Sequence, residues 1–121
     1  METIFEIKDS ILIAKLSGEI DHHRTEKIRQ DIDETMATYK ANNLIFDFSE
    51  VTFMDSSGVG MVLGRYKKIN QLPGKVVICG GDEYVRRILF MSGVFTLVDY
   101  TVSKEHAMEK IEEWEKGESE V

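Results

Sequence analysis

The sequence has little of several things, and each shortage excludes something. A single cysteine, Cys79, stands in 121 residues. No internal disulfide can form, and a reducing, cytoplasmic compartment is expected. A single proline leaves no Pro-rich linker, and no repeat or shift in composition divides the chain. One domain over residues 1–121 is expected, with 116–121 a charged tail that frays. Basic residues are outnumbered, 15 Lys plus Arg against 22 Asp plus Glu, for a net charge of -7. That balance argues against nucleic acid, whose phosphates are bound by clustered Lys and Arg, and disfavours an anionic membrane surface. No apolar run approaches the roughly 20 residues that a membrane helix needs. The first residues, Met1 to Glu6, lack the basic region and apolar core of a signal peptide.

What is present is regular patterning, with 42% of residues apolar. Phe5–Lys8 and Ile11–Ser17 flank the turn-forming pair Asp9-Ser10 and read as a hairpin. Asp21 caps a first helix, in which Ile28, Ile32, Met36 and Tyr39 recur at helical spacing and face inward. That helix ends at Asn42-Asn43. Leu44–Phe48 is a strand with Leu44, Phe46 and Phe48 on one side, followed by a loop over Ser49–Met54. A second helix starts at Asp55-Ser56-Ser57-Gly58, its core face made by Val59, Val62, Leu63, Tyr66 and Ile69. Pro73-Gly74 turns the chain into a strand over Lys75–Cys79, so strand, helix and strand form a right-handed parallel crossover. Asp82 caps a third helix carrying Val85, Ile88 and Leu89, which Ser92-Gly93 ends. Phe95–Val98 is a short last strand, and Ser103 caps a final helix with Ala107, Ile111 and Trp114 inward. The expected class is α/β, mixed: a small sheet, partly parallel and partly antiparallel, with helices packed on it.

The segment richest in chemistry is Phe53-Met54-Asp55-Ser56-Ser57-Gly58-Val59-Gly60, at a strand-to-helix junction. Backbone N–H groups lack partners there and the helix dipole is positive, so a phosphoryl group on Ser56 would be held by them. Gly58 and Gly60 would leave a partner's approach open. The plainer reading is that Asp55, Ser56 and Ser57 only cap a helix. A nucleophilic Ser56 with His22 or His23 as base and Asp21 or Asp55 as orienter, a serine hydrolase, lacks the Gly-x-Ser-x-Gly elbow. A phosphoacceptor-aspartate receiver domain needs clustered acids after its first strand, where only Asp9 stands.

Gly18-Glu19-Ile20-Asp21-His22-His23 is the second constellation. Adjacent histidines on a helix diverge by about 100° and cannot share one metal as a His-x-x-x-His pair does. No metal and no cofactor are expected. The segment reads either as a solvated helix start or as part of a contact surface. Met54, Met61 and Met91 read as core or rim packing, and Cys79 as an inert buried thiol.

These segments, together with Leu63-Gly64-Arg65-Tyr66-Lys67 and Met91-Ser92-Gly93-Val94-Phe95, resemble the anti-sigma factor antagonists with their STAS domain, most of all the sporulation branch of that family. The resemblance spans essentially the whole chain, weakening at Gly80–Tyr84 and over the last helix. It implies a STAS-like fold and a partner switch without catalytic activity. The unmodified protein would bind an anti-sigma factor that is itself a serine kinase, freeing the sporulation sigma factor. Phosphorylation of Ser56 would switch it off, and a serine phosphatase would restore it. Asp21 and Glu19 would lie in the docking surface beside Ser56, facing basic groups of the kinase. Asp55, Ser57 and Gly58 would shape the acceptor loop. An antagonist in another partner-switching pathway, such as general stress, is the neighbouring alternative. The free protein is expected to be a monomer.

Overall fold

A computed structural model describes the backbone of residues 3–120 and the side chains of residues 3–117. Strands β1 (Ile4–Lys8) and β2 (Ile11–Ile20) form the hairpin, turning at Asp9, whose φ of 54° is the left-handed value that a tight turn requires. Helix α1 (His22–Tyr39) leads to β3 (Asn43–Met54), α2 (Ser56–Asn70) to β4 (Val76–Cys79), and α3 (Glu83–Met91) to β5 (Asp99–Thr101). Helix α4 (Lys104–Glu120) closes the chain and is helical as far as Glu120. The five strands lie in the order in which they occur in the chain. β1 is antiparallel to β2, while β2, β3, β4 and β5 run parallel, so the mixed α/β expectation holds.

The pleat sorts side chains between two unequal layers. Leu12, Ala14 and Leu16 of β2, Leu44, Phe46 and Phe48 of β3, and Val76 and Ile78 of β4 join residues of α1, α2 and α3 in the main core. Each such side chain contributes about 1.5–3 kcal/mol when buried. The alternate set, Ile11, Ile13, Ile45, Val77 and Cys79, packs under α4 through Ala107 and Ile111. Burial pushes the Cys79 thiol up to about 12, with Asp47 adding to it, so the thiol is inert as expected.

Five expectations change. Ser49–Met54 continues β3 instead of looping, because Val51 and Met54 are buried and the segment pairs with β2 from Ser17↔Glu50 to Ile20↔Met54. Irregularities between Lys15 and Ser17 and between Gly18 and Glu19 absorb the mismatch, with Gly18 at φ 76°. The stretch after Gly93 is a single 3-10 turn, Val94–Thr96, which brings Val94 and Val98 to the core and leaves Leu97 exposed. The last strand begins only at Asp99. Tyr39 is exposed because α1 ends there and Lys40 leaves it in the left-handed conformation, while Trp114 is half-buried and Met91 exposed.

One fully buried polar side chain sits at the far end of the sheet. Asn43 donates through Nδ2 to Ser10 Oγ at 3.0 Å and Glu115 Oε2 at 3.1 Å, and its Oδ1 accepts from Lys75 N–H at 2.8 Å. Ser10 also donates to Glu115 at 2.9 Å. This network joins the hairpin turn, the starts of β3 and β4, and α4.

Candidate functional site

Parallel strands deliver their carboxyl ends, and the helices that follow, to one edge of the sheet, the usual place for a site in such folds. Ile20 of β2 lies opposite Met54 of β3, and Asp55 N–H donates to Ile20 C=O at 3.2 Å. The next residue in each chain segment is an N-cap. Asp21 accepts from His23 N–H at 3.1 Å and Asp55 accepts from Ser57 N–H at 2.9 Å. Two acid-capped helix starts are thereby held side by side. The register sets Glu19 opposite Phe53 and Ile20 opposite Met54, so Glu19 and Asp21 lie at the same edge of the sheet as Asp55 and Ser56.

Asp55 links the two helices. The Ser57 hydroxyl donates to its carboxylate, and backbone N–H groups of Ser57, Gly58 and His22 add to that, holding the group below the usual carboxylate range against the opposing effect of burial. The starts of α1 and α2 are tied through the backbone, where Asp55 N–H meets Ile20 C=O. The adjacent serines therefore differ. Ser57 is half-buried with its hydroxyl committed to Asp55, whereas Ser56 is exposed and its hydroxyl makes no hydrogen bond among the described residues.

Two sequence expectations are corrected here. Two of the N–H groups expected to cradle a phosphate are already taken, because Asp55 holds Ser57 N–H through its side chain and Gly58 N–H through its carbonyl at 3.0 Å. A phosphoryl group on Ser56 would meet a carboxylate there, so repulsion turns it outward. Gly58 does not open a face to a partner, because it is buried. A Cβ built on it would lie 2.6 Å from Met54 Cγ and 3.2 Å from Ile20 Cγ2, so its role is to let the first turn of α2 touch both strands. Gly60, with nothing within 4 Å of a built Cβ, fits the open-face reading. Gly58→Ala is expected to cost about 1–3 kcal/mol by overpacking, read as a lower urea midpoint at unchanged slope, and Gly60→Ala, with room for its methyl inside a helix, to raise stability by about 0.5–1 kcal/mol.

Neither histidine ring is joined to Ser56 by a hydrogen bond among the described residues. The rings of His22 and His23 instead lie 4.0 Å apart, centroid to centroid, both exposed. No group of three metal-ligating side chains occurs among the described residues, and no described helix is long and apolar enough to cross a membrane.

Sequence reasoning missed two features of the site. Arg24 donates through Nη1 to the carbonyls of Ser17 and Glu19, at 2.8 and 2.6 Å, fixing the irregular end of β2 against α1. Phe53 stacks on Tyr84 of α3 with ring centroids 6.2 Å apart, an exposed aromatic pair beside the serine. Phe53 lies between Thr52 and Met54 in an ordinary strand pattern, and no local signal names its partner.

Comparison with known proteins follows the geometry closely. The family model of the STAS domain matches residues 2–108. The anti-sigma F factor antagonist of Paenibacillus polymyxa is 37% identical over 102 residues, covering 84% of this chain and 87% of that protein. The anti-sigma-B factor antagonist of Listeria monocytogenes is 26% identical over 84 residues, covering 69% of this chain and 73% of that one. Among solved structures, the anti-sigma factor antagonist SpoIIAA in its unphosphorylated form is 28% identical with a TM-score of 0.80, over 92% of this chain and 96% of that one. SpoIIAA in its phosphorylated form, described as a Bacillus cell fate determinant, aligns at a TM-score of 0.72 and 28% identity over 91% of this chain and 99% of that one.

Proposed function

Because the chain belongs to the STAS-domain family of anti-sigma factor antagonists, we propose that it works as a partner switch controlled at Ser56. In its unmodified form it binds an anti-sigma factor that is also a serine kinase, and the sporulation sigma factor is released. Phosphorylation of Ser56 by that kinase ends the binding, and a serine phosphatase restores it. The family is regulatory, and the chain's part is to present a surface. It does so as a monomer, in the cytoplasm. The sporulation assignment rests on the higher identity to the anti-sigma F antagonist than to the anti-sigma-B one.

The observation that carries this reading is the contrast between the two serines. Ser56 is exposed with a free hydroxyl, and Ser57, one residue on, is fastened to Asp55. A kinase needs a hydroxyl that can enter its active site without unmaking the helix start, and Ser56 meets that condition. Glu19 and Asp21 supply acids on the rim for a basic partner surface, and Asp55 and Ser57 hold the acceptor in place.

Mass spectrometry after incubation with ATP and the host's anti-sigma kinase tests the reading. One phosphate on Ser56 is expected, and none on Ser56→Ala. Phosphate on Ser57 of the Ser56→Ala variant at the normal rate would overturn the assignment.

A further inference from the structure

We propose that the cleft between the second halves of α1 and α2 is a binding site for a small aliphatic carboxylate, with the anionic head at Arg65 and Lys68 and the chain lying along Met36, Ala41, Ile69 and Leu72. The cleft measures about 340 Å³, at the small end of ligand pockets. Its floor is apolar, Met36, Ala41 and Ile69 being buried, and Leu72 is a half-exposed wall.

The polar end of the cleft has more cations than anions. Asp33 faces Arg65 Nε at 3.0 Å, Arg29 Nη1 at 3.4 Å and Lys68 Nζ at 3.6 Å, and Glu26 also pairs with Arg29, so two carboxylates stand against three cations and Arg65 and Lys68 share Asp33. The Arg65 side chain is only 10% exposed. Its Nε is near Asp33 without being aligned to donate a hydrogen bond, and its buried Nη1 has no acceptor. The guanidinium keeps its charge beside the single carboxylate of Asp33, and its field together with that of the exposed Lys68 ammonium favours an anion at this end of the cleft. Burial lowers the Arg65 pKa, with Asp33 only partly opposing it, as expected of an under-compensated cation.

The negative ends of the two helices do not decide the matter. Arg65 lies more than one turn before the end of α2, and the dipole's influence fades within the last turn. The carbonyls at those ends are partly satisfied, by Lys40 N–H on Ala37 C=O and Ala41 N–H on Met36 C=O in α1, and by Leu72 N–H on Ile69 C=O in α2. The apolar half of the cleft, nearer the helix ends, is where an uncharged tail belongs. An inorganic anion would use only the cations, and a neutral alkane only the floor. The arrangement suits a molecule with both parts.

Titration of the ¹⁵N-labelled protein with decanoate, followed by backbone amide shifts, provides the test. Saturable shifts confined to residues 33–42 and 65–72 are expected, with decan-1-ol and acetate each binding at least tenfold more weakly. Because Arg65 is buried and its replacement can unfold the chain, the variants are Lys68→Glu and Leu72→Asp at the exposed rim. Each should weaken decanoate at least tenfold while amides elsewhere stay in place. Non-saturating shifts spread over the surface, decanol binding as well as decanoate, or full affinity in both variants would each overturn the site. None of these readouts depends on Ser56 or on the anti-sigma partner.

Discussion

Phosphorylated on Ser56, the protein is expected to bind its anti-sigma factor about a hundredfold more weakly than the unmodified form. The phosphoryl group adds about -1.5 to -2 charges at pH 7. The helix start is left with less to offer it, since Asp55 already holds the N–H groups of Ser57 and Gly58. The charge therefore stays on the surface, beside Glu19 and Asp21 and against whatever anionic group the partner presents to an acceptor hydroxyl. Two charges facing one like charge at about 6 Å, in an effective dielectric near 40, cost roughly 2.8 kcal/mol, or about two decades of affinity. Ser56→Asp carries half that charge, and about a tenfold loss is expected. Ser56→Ala should bind like the parent. Calorimetric titration of the four forms against the anti-sigma factor checks the order, and a phosphorylated protein that binds within threefold of the parent would remove the electrostatic switch.

Asn43→Ala is expected to destabilise the fold by about 3 kcal/mol while leaving partner binding untouched at temperatures where the chain is folded. The side chain is fully buried and serves three elements at once. Removing it strands Lys75 N–H and leaves Ser10 and Glu115 short of a donor, and each unmet buried group costs about 1–3 kcal/mol. Glu115 is half-buried and recovers part of its share from water. Urea denaturation at unchanged slope would report the loss. Asn43→Asp separates the contributions: it restores the acceptor for Lys75 N–H but sets a carboxylate against Glu115, so it should remain well below the parent in stability. A parent-like midpoint for Asn43→Ala would mean that the network adds nothing net. The position lies at the opposite end of the sheet from Ser56, so a changed affinity in folded Asn43→Ala would contradict the separation of the two ends.

How much of this could be read from the sequence depends on how local the determining physics is. The caps were legible, because Asp21, Asp55 and Asp82 each bind N–H groups two or three residues away. So was the placing of Leu44, Phe46 and Phe48 on one side of their strand, which is a matter of alternation, whereas the burial of Ile45 under α4 on the other face had no local sign. The second half of β3 was not, since Ser49 and Glu50 resemble a loop until β2 is placed alongside, with Lys15 Nζ 2.8 Å from Glu50. At the site, the motif named the serine, but only the fold distinguishes the roles of its neighbours. Gly58 reads as an opening in sequence and proves to be a contact, because Met54 and Ile20 reach it from two strands. Arg65 falls at core spacing between Val62 and Ile69, yet its charge hides it from any apolar count.

The strand order has a consequence for assembly. Each strand lies beside the one made just before it, and no later strand is inserted between two that are already paired. The sheet can therefore grow by accretion at a single edge as the chain leaves the ribosome, each step closing only one crossover's worth of chain. The end of the sheet that carries Ser56 needs β2, β3 and the two helix starts that follow them, and all of these lie within the first half of the sequence. The acceptor serine can thus be seated before β4, β5 and α4 exist, while the Asn43 network closes only when Lys75 and Glu115 arrive. The end that carries Ser56 is built early, and the clasp at the other end is a late fastening.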